Sequence, residues 1–263
     1  MAETTSFFTD GEAYERMMGR WSRAVGEKFL DWLALAPGLH LLDAGCGTGA
    51  FTELLLERCA PREVSAVDPA DDQIAFAKTK PAAKRVKFQI GDAQALPFGS
   101  GEFDAATMAL VITFIPDPQK AVSEMARVVK PGGTLGTYMW DFLGKRFTQQ
   151  PLRQAIEATG YAVPPAPGHA NATLESLERF FRTAGLDSVE TRPIDIEVSF
   201  GDFDEYWSSQ TALANTVVQH IRKMTPAEVE RLKAYLQEHL PRDRDGRIAY
   251  SARANAVKGR VPQ

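Results

Sequence analysis

The sequence predicts an α/β fold built on a doubly wound parallel sheet. Three observations carry that prediction. Short apolar runs alternate with segments of helical periodicity between residues 39 and 140, a glycine-rich turn joins the first run to the helix after it, and acidic residues stand at the ends of the next two runs. The elements follow in order. Leu39-His40-Leu41-Leu42-Asp43 reads as a first strand, and Phe51, Leu54 and Leu55 share one face of the next helix. Val64 to Val67 is a second strand, followed by Ile74 and Ala77 at helical spacing. Val86-Lys87-Phe88-Gln89-Ile90 alternates as a third strand, and Phe103 to Ile112 is a long fourth. Ala121, Val122, Met125, Val128 and Val129 mark a helix that Pro131-Gly132-Gly133 stops, and Thr134 to Met139 is a fifth strand.

Beyond residue 140 the character changes. Pro164, Pro165 and Pro167 make 160–168 a stiff loop. Thr173 to Ala184 carries Leu174, Leu177, Phe180 and Phe181 on one helical side. Ile194, Ile196, Val198 and Phe200 alternate with polar residues as a half-exposed strand. Two helices follow: Phe203, Trp207, Leu213, Val217 and Ile221 stripe one, and Thr225-Pro226-Ala227-Glu228 opens the other with a capping box and Pro at the first helical position. Ile248, Tyr250, Ala252 and Ala254 read as the last strand. The expected organisation is an N-terminal helical flap (1–36), a core (37–140), a lid segment (141–172), a core continuation (173–201), a helical lid insertion (202–240) and a final strand with its tail (241–263).

The chain has 263 residues, 44% apolar and 24% charged, which is ample for a packed core and excludes disorder. Its formal net charge of -4 lacks the basic excess of a dedicated nucleic-acid binder. The start, Met1-Ala2-Glu3-Thr4-Thr5-Ser6, has no basic and then apolar signal pattern, and the apolar stretch from Ala105 to Ile115 falls short of the roughly 20 residues of a membrane helix. A soluble, cytoplasmic protein with no membrane span is expected. Cys46 and Cys59 form no framework, and no His, Cys or carboxylate cluster has metal-site spacing, so no metal is expected.

The informative segment is Leu41-Leu42-Asp43-Ala44-Gly45-Cys46-Gly47-Thr48-Gly49-Ala50-Phe51. It joins a strand to a helix N-terminus, where N–H groups meet anionic or nucleotide-type ligands. Its G-x-G-x-G spacing differs from the G-x-G-x-x-G of dinucleotide enzymes, which disfavours a nicotinamide oxidoreductase. Asp43 ends the first strand, where it caps the following helix or anchors the loop, and in either case shapes the cofactor pocket. Asp68, before Pro69, closes the second strand, where a carboxylate can accept from both ribose hydroxyls; the plainer reading is a turn residue. Asp92, before Ala93, follows the third strand and can accept from an exocyclic adenine amine. Cys46 has no sequence partner and reads as a small buried filler of the loop.

On these residues, together with Gly91-Asp92-Ala93-Gln94-Ala95-Leu96-Pro97-Phe98, Phe103-Asp104 and Arg127-Val128-Val129-Lys130-Pro131-Gly132-Gly133, the chain resembles the class I S-adenosylmethionine-dependent methyltransferases. Within them it is similar to the branch that includes the ubiquinone/menaquinone-biosynthesis enzymes. The resemblance covers residues 37–140 and is weak over 141–240, so it implies no particular acceptor. It implies a Rossmann-like sheet of seven strands with the last antiparallel, and S-adenosylmethionine as cofactor. It further implies that Gly45, Gly47 and Gly49, with Cys46 between them, line the methionine and ribose, that Asp68 and Pro69 hold the ribose, and that Asp92 and Ala93 bracket the adenine. Ala109 and Leu110 would lie beneath the sulfonium.

Methyl transfer from a sulfonium needs alignment and exclusion of water more than acid–base chemistry. Trp140, Tyr206 and Trp207 are expected to line an apolar acceptor pocket under a lid, or else simply to pack that lid on the core. Asp141 and His169 are candidate general bases, neither in a recognisable pair. Tyr14 or Arg20, in the run Tyr14 to Arg23, would meet the methionine carboxylate from a flap, or belong to an ordinary solvated helix. The expected activity is methylation of a small molecule; a cofactor-binding protein of the same fold that transfers nothing is the alternative. The sequence leaves the oligomeric state open.

Overall fold

The structure, a computed structural model, describes residues 19–212 and 215–263. Its first half runs α1 (Arg20–Leu33), β1 (His40–Ala44), α2 (Ala50–Cys59), β2 (Glu63–Asp68), α3 (Asp71–Thr79), β3 (Val86–Ile90), β4 (Phe103–Ala109), α4 (Pro118–Val128) and β5 (Val129–Trp140). Next come α5 (Gln150–Ala158), α6 (Leu174–Thr183), β6 (Asp187–Phe200), α7 (Phe203–Gln210), α8 (Thr216–Ile221), α9 (Pro226–His239) and β7 (Ile248–Arg260).

All seven strands form one sheet in the order β3-β2-β1-β4-β5-β7-β6. The neighbours from β3 to β5 pair in parallel, while β7 is antiparallel to both β5 and β6. This is the seven-stranded, Rossmann-like arrangement with a reversed last strand that the resemblance implies. The chain leaves β1 toward β2 and β3, then returns to add β4 on the other side. The gap between the carboxyl ends of β1 and β4 is therefore the topological switch point, where open α/β sheets hold their ligands.

Both faces are covered. On one, Phe29 and Leu33 of α1, Leu54 of α2 and Leu152 of α5 pack with Tyr138 of β5. On the other, Val122 and Met125 of α4 and Phe181 of α6 pack with Met108 of β4. Phe29 is fully buried 4.8 Å from the Tyr138 ring, so truncating it to alanine costs about 3–5 kcal/mol. Helix starts follow local chemistry. Asp117 caps α4 by accepting from the Lys120 N–H, and Thr225 and Glu228 complete the capping box of α9. Among the described residues no helix is long and apolar enough to cross a membrane, and no group of three or more His, Cys, Asp or Glu could hold a metal ion.

Several expectations need correction. The fourth strand ends at Ala109 rather than Ile112, because Leu110 turns into the left-handed region (φ 61°) and Ile112–Phe114 winds into a 3-10 turn. The helix before β5 ends at Val128, ahead of Pro131-Gly132-Gly133. Those residues instead sit within the start of β5, where Gly132 (φ 77°) accompanies a register shift against β4. Residues 20–33 are no flap: Trp21, Val25, Phe29, Leu30 and Leu33 bury one stripe of α1 in the core. The segment 142–172 is less irregular than expected, since Leu152, Ala155 and Ile156 bury α5. One helix over 203–221 is two, because the Asn215 side chain accepts from the Val218 N–H and starts α8 afresh.

Candidate functional site

The carboxyl end of β2 organises the rim of the sheet at the switch point. Its Val67 carbonyl accepts N–H groups from Gly45 (2.8 Å) and Cys46 (3.0 Å), which pulls the glycine turn sideways over β2. The Asp68 carboxylate accepts from the Gly47 N–H (2.9 Å) through one oxygen and from the Ala70 N–H (2.9 Å) through the other. The Asp68 carbonyl accepts from the Gly91 N–H (3.1 Å), so the exit of β3 is tied to the same point. Three segments that are far apart in sequence thus meet in one hydrogen-bonded rim.

Left-handed backbone shapes the turn: φ is 78° at Gly45, 50° at Gly47 and 80° at Gly49, the cap of α2. At Gly45 there is a second reason for glycine. A Cβ there would come within 2.7 Å of both Val111 methyl groups, so side chains from the two banks of the switch point could not otherwise pack. Opposite, the Leu110 N–H donates to the Tyr138 carbonyl (2.9 Å) and fixes the strained turn that follows Ala109.

Burial sets the electrostatics. Asp43 is fully buried, and its pKa rises to about 7, first from desolvation and further from the Asp68 charge, while the Thr52 hydroxyl pulls it back by donating to Oδ2 at 2.6 Å. Its Oδ1 has no hydrogen-bond partner among the described residues. Burial also raises the Asp68 pKa, against the two N–H donors from Ala70 and Gly47. The Cys46 thiol is pushed up by burial and then by the Asp43 and Asp68 charges, so it is no thiolate nucleophile. Two buried carboxyl groups that resist ionisation thus flank one turn.

At the exit of β3, Asp92 Oδ1 accepts from the Gln94 N–H (2.8 Å), and Ala93 is buried beside it. Pro69 follows Asp68 in the turn into α3. The structure thus brings Asp43, Gly45, Cys46, Gly47, Gly49, Asp68, Pro69, Asp92, Ala93, Ala109 and Leu110 to one edge of the sheet. Sequence reasoning missed Thr52, in the first turn of α2, and Val111. Position just past a strand end was the available signal for Val111; for Thr52 there was none beyond its spacing from Asp43.

Other expected residues lie elsewhere. Tyr14 falls outside the described residues. Arg20 donates to the Ser199 carbonyl (2.7 Å), pairs with Glu205 (2.8 Å) and stacks over Trp21 (4.1 Å), at the end of β6. That strand is four positions from β1 in the sheet, about 19 Å at ordinary strand spacing. Asp141 accepts from the Gly144 N–H (2.9 Å) and closes a local turn. His169 Nδ1 lies 3.0 Å from the Ala166 carbonyl, on a segment whose Gly168 packs against the Thr113 backbone just past β4. Trp140 and Tyr206 are buried in one apolar cluster, with Trp207 at its edge against Phe203 (6.3 Å).

Comparison with known proteins identifies the family. Residues 42–137 fit the family model of a methyltransferase domain. The ubiquinone/menaquinone biosynthesis C-methyltransferase UbiE of Dinoroseobacter shibae is 30% identical over 210 residues, spanning 70% of this chain and 80% of that one. Its counterpart from Cereibacter sphaeroides is 28% identical over 207 residues, with the same shares covered. In fold, the chain is similar to phosphoethanolamine N-methyltransferase 2 of Haemonchus contortus in complex with S-adenosyl-L-methionine (TM-score 0.60, 19% identity, 99% of this chain and 59% of that one). The chain belongs to the class I S-adenosylmethionine-dependent methyltransferases, an enzyme that takes S-adenosylmethionine as its cofactor and, within the family, resembles the UbiE branch.

Proposed function

We propose that this methyltransferase acts on a small molecule by in-line displacement, with the cofactor held across the switch point between β1 and β4. One observation carries the placement: the glycine turn, Asp68 and the exit of β3 form a single hydrogen-bonded rim around the end of β2. The residues fit the cofactor. Each Asp68 carboxylate oxygen already accepts one N–H and keeps a lone pair, so the side chain can also accept from two ribose hydroxyls. Asp92 and Ala93 stand one strand further out, suited to the adenine. Asp43 Oδ1, buried and without a hydrogen-bond partner among the described residues, leaves an acceptor available beside the turn. Ala109 and Leu110 would floor the reacting end.

When bound, the cofactor supplies a methyl carbon already made electrophilic by its sulfonium. The chain's part is then to align an acceptor within contact distance and keep water out. Helices α5, α7, α8 and α9, inserted after β5 and between β6 and β7, cover the same sheet face as α2 and are the proposed lid. Trp140, Tyr206 and Trp207 would form its aromatic lining. Asp141 and His169 remain the proposed bases for an acceptor that must lose a proton.

Calorimetry with S-adenosylhomocysteine tests the placement. Asp68→Ala should lose about 3 kcal/mol or more of binding, roughly a hundredfold, since it removes two hydrogen bonds to a charged acceptor. Unchanged affinity would refute it. Transfer of labelled methyl to the small-molecule fraction of a cell extract, and not to its protein or nucleic acid, tests the acceptor class.

A further inference from the structure

The β6–β7 pair outruns the rest of the sheet. β7 pairs with β5 only as far as Trp140↔Ala254, yet continues against β6 to Phe200↔Ile248. Six residues of β7 therefore project past β5, about 20 Å of strand on the carboxyl side of the sheet. Residues 141–149 climb the same projection: the Arg253 N–H donates to the Arg146 carbonyl (2.6 Å), and the Tyr250 hydroxyl donates to the Thr148 carbonyl (2.6 Å). Gln149 closes the top, donating to the Gln210 carbonyl (2.9 Å) and accepting from Asn215 (3.0 Å).

Into this enclosure α7 sends Tyr206 and Gln210, four residues apart and so on one face of the helix. Both are completely buried. Among the described residues, the Tyr206 hydroxyl and both polar atoms of the Gln210 carboxamide have no hydrogen-bond partner. Native interiors pair nearly all such groups, because burying one unpaired is costly. An unpaired carboxamide and hydroxyl one helical turn apart, at the β6 end of the same carboxyl edge, is the arrangement of a binding site whose partner arrives from outside.

We propose that Tyr206 and Gln210 recognise the polar end of the methyl acceptor, and that this end is an uncharged group offering both a donor and an acceptor, a hydroxyl or carboxamide on an apolar ring. The inference rests on the small-molecule reading above and extends it to acceptor chemistry. The polar groups gathered here, with Gln149 and Asn215, are all neutral, and Phe200 stands 5.2 Å from the Tyr206 ring and Phe203 6.1 Å from it. Arg20, 5.0 Å from the Phe200 ring, and Glu205 are already paired with each other (2.8 Å), so a charged head would have to break that pair to gain a counter-ion, at heavy cost. Gln210 gives amide-to-amide or amide-to-hydroxyl pairing, and Tyr206 a second contact one helical turn away.

The test uses the full chain and 4-hydroxybenzamide as probe, followed by ligand-observed NMR with and without saturating S-adenosylhomocysteine. Tyr206→Phe, Gln210→Leu and Gln210→Met should each weaken the probe at least tenfold. Affinity for S-adenosylhomocysteine should stay within twofold, and the thermal midpoint of each ligand-free variant should hold or rise, since an unpaired polar group has been replaced by an apolar one. Any of three results overturns the proposal: a wild-type chain that does not bind the probe, variants that bind it equally well, or a fall in midpoint at both positions, which would show these groups already hydrogen-bonded within the fold. A chain that binds the probe but not S-adenosylhomocysteine would instead refute the cofactor placement, and the two failures are thereby distinguished.

Discussion

Asp43 offers a sharp test, because its burial couples ionisation to folding. Its folded pKa of about 7 stands against about 3.9 in an unfolded chain. Between those values the folded state keeps a proton that the unfolded state has released, so stability falls as pH rises from about 4 to about 7. Below about pH 4 both states are protonated and the penalty is absent. Above about pH 7 both are ionised and it is complete, roughly 4 kcal/mol at 1.36 kcal/mol per pKa unit. The replacement Asp43→Asn removes the titration yet keeps an oxygen to accept from Thr52. Urea unfolding of both proteins at several pH values, without cofactor, gives the difference in stability directly. That difference should shift in favour of the variant by roughly 3 kcal/mol between pH 5 and pH 8. Other titrating groups cancel in the comparison, and the buried amide adds only a constant offset. A difference that stays flat across the range would refute the reasoning, since it would mean that Asp43 ionises as an ordinary carboxyl does.

Gly45→Ala should destabilise the chain by about 1–3 kcal/mol in the same assay, since it meets both a left-handed backbone and the Val111 methyl groups; adding Val111→Ala should recover only part of the loss. Thr52→Val removes the only donor to Asp43 among the described residues and should cost about 1–3 kcal/mol near pH 8, with a smaller loss near pH 5, where the carboxyl is mostly protonated. Arg20→Ala should leave S-adenosylhomocysteine affinity within twofold, because the guanidinium is held at the end of β6; a tenfold loss by calorimetry would return Arg20 to the cofactor site.

Much of this was legible because strands and their ends declare themselves locally. An apolar run such as Leu41-Leu42 has to be buried, and an acidic residue after it, as with Asp68, must lie at the rim, where polar groups find partners. The glycine turn was legible for the same reason, since alternate glycines have few other uses between a strand and a helix. What escaped was set by neighbours distant in sequence. Leu110 adopts φ 61° because its N–H is claimed by Tyr138 on the adjacent strand, and no propensity announces that. Arg20 lies in a polar-looking run, yet Trp21 beside it packs edge-on to Phe200 (5.6 Å) and draws the whole helix into the core. Gln210 gave no signal at all: a glutamine at the end of a short helix is ordinarily solvated, and only its complete burial beside Tyr206 makes it informative. The break at Asn215 shows the reverse case, a cap residue visible in the sequence but outweighed by an apolar stripe that ran through it.

The position of β7 has a consequence for how the chain assembles. The strand that bridges β5 to β6 is the last of the seven to be synthesised, and among the described residues β6 hydrogen-bonds to no other strand. While three helices emerge behind it, β6 presents two bare edges, which Pro193 and the charges of Asp195 and Glu197 blunt only along part of its length. Folding of this half must therefore wait for the final ladder, and a ribosome that stalls before residue 248 would leave behind a sticky ribbon rather than a smaller enzyme.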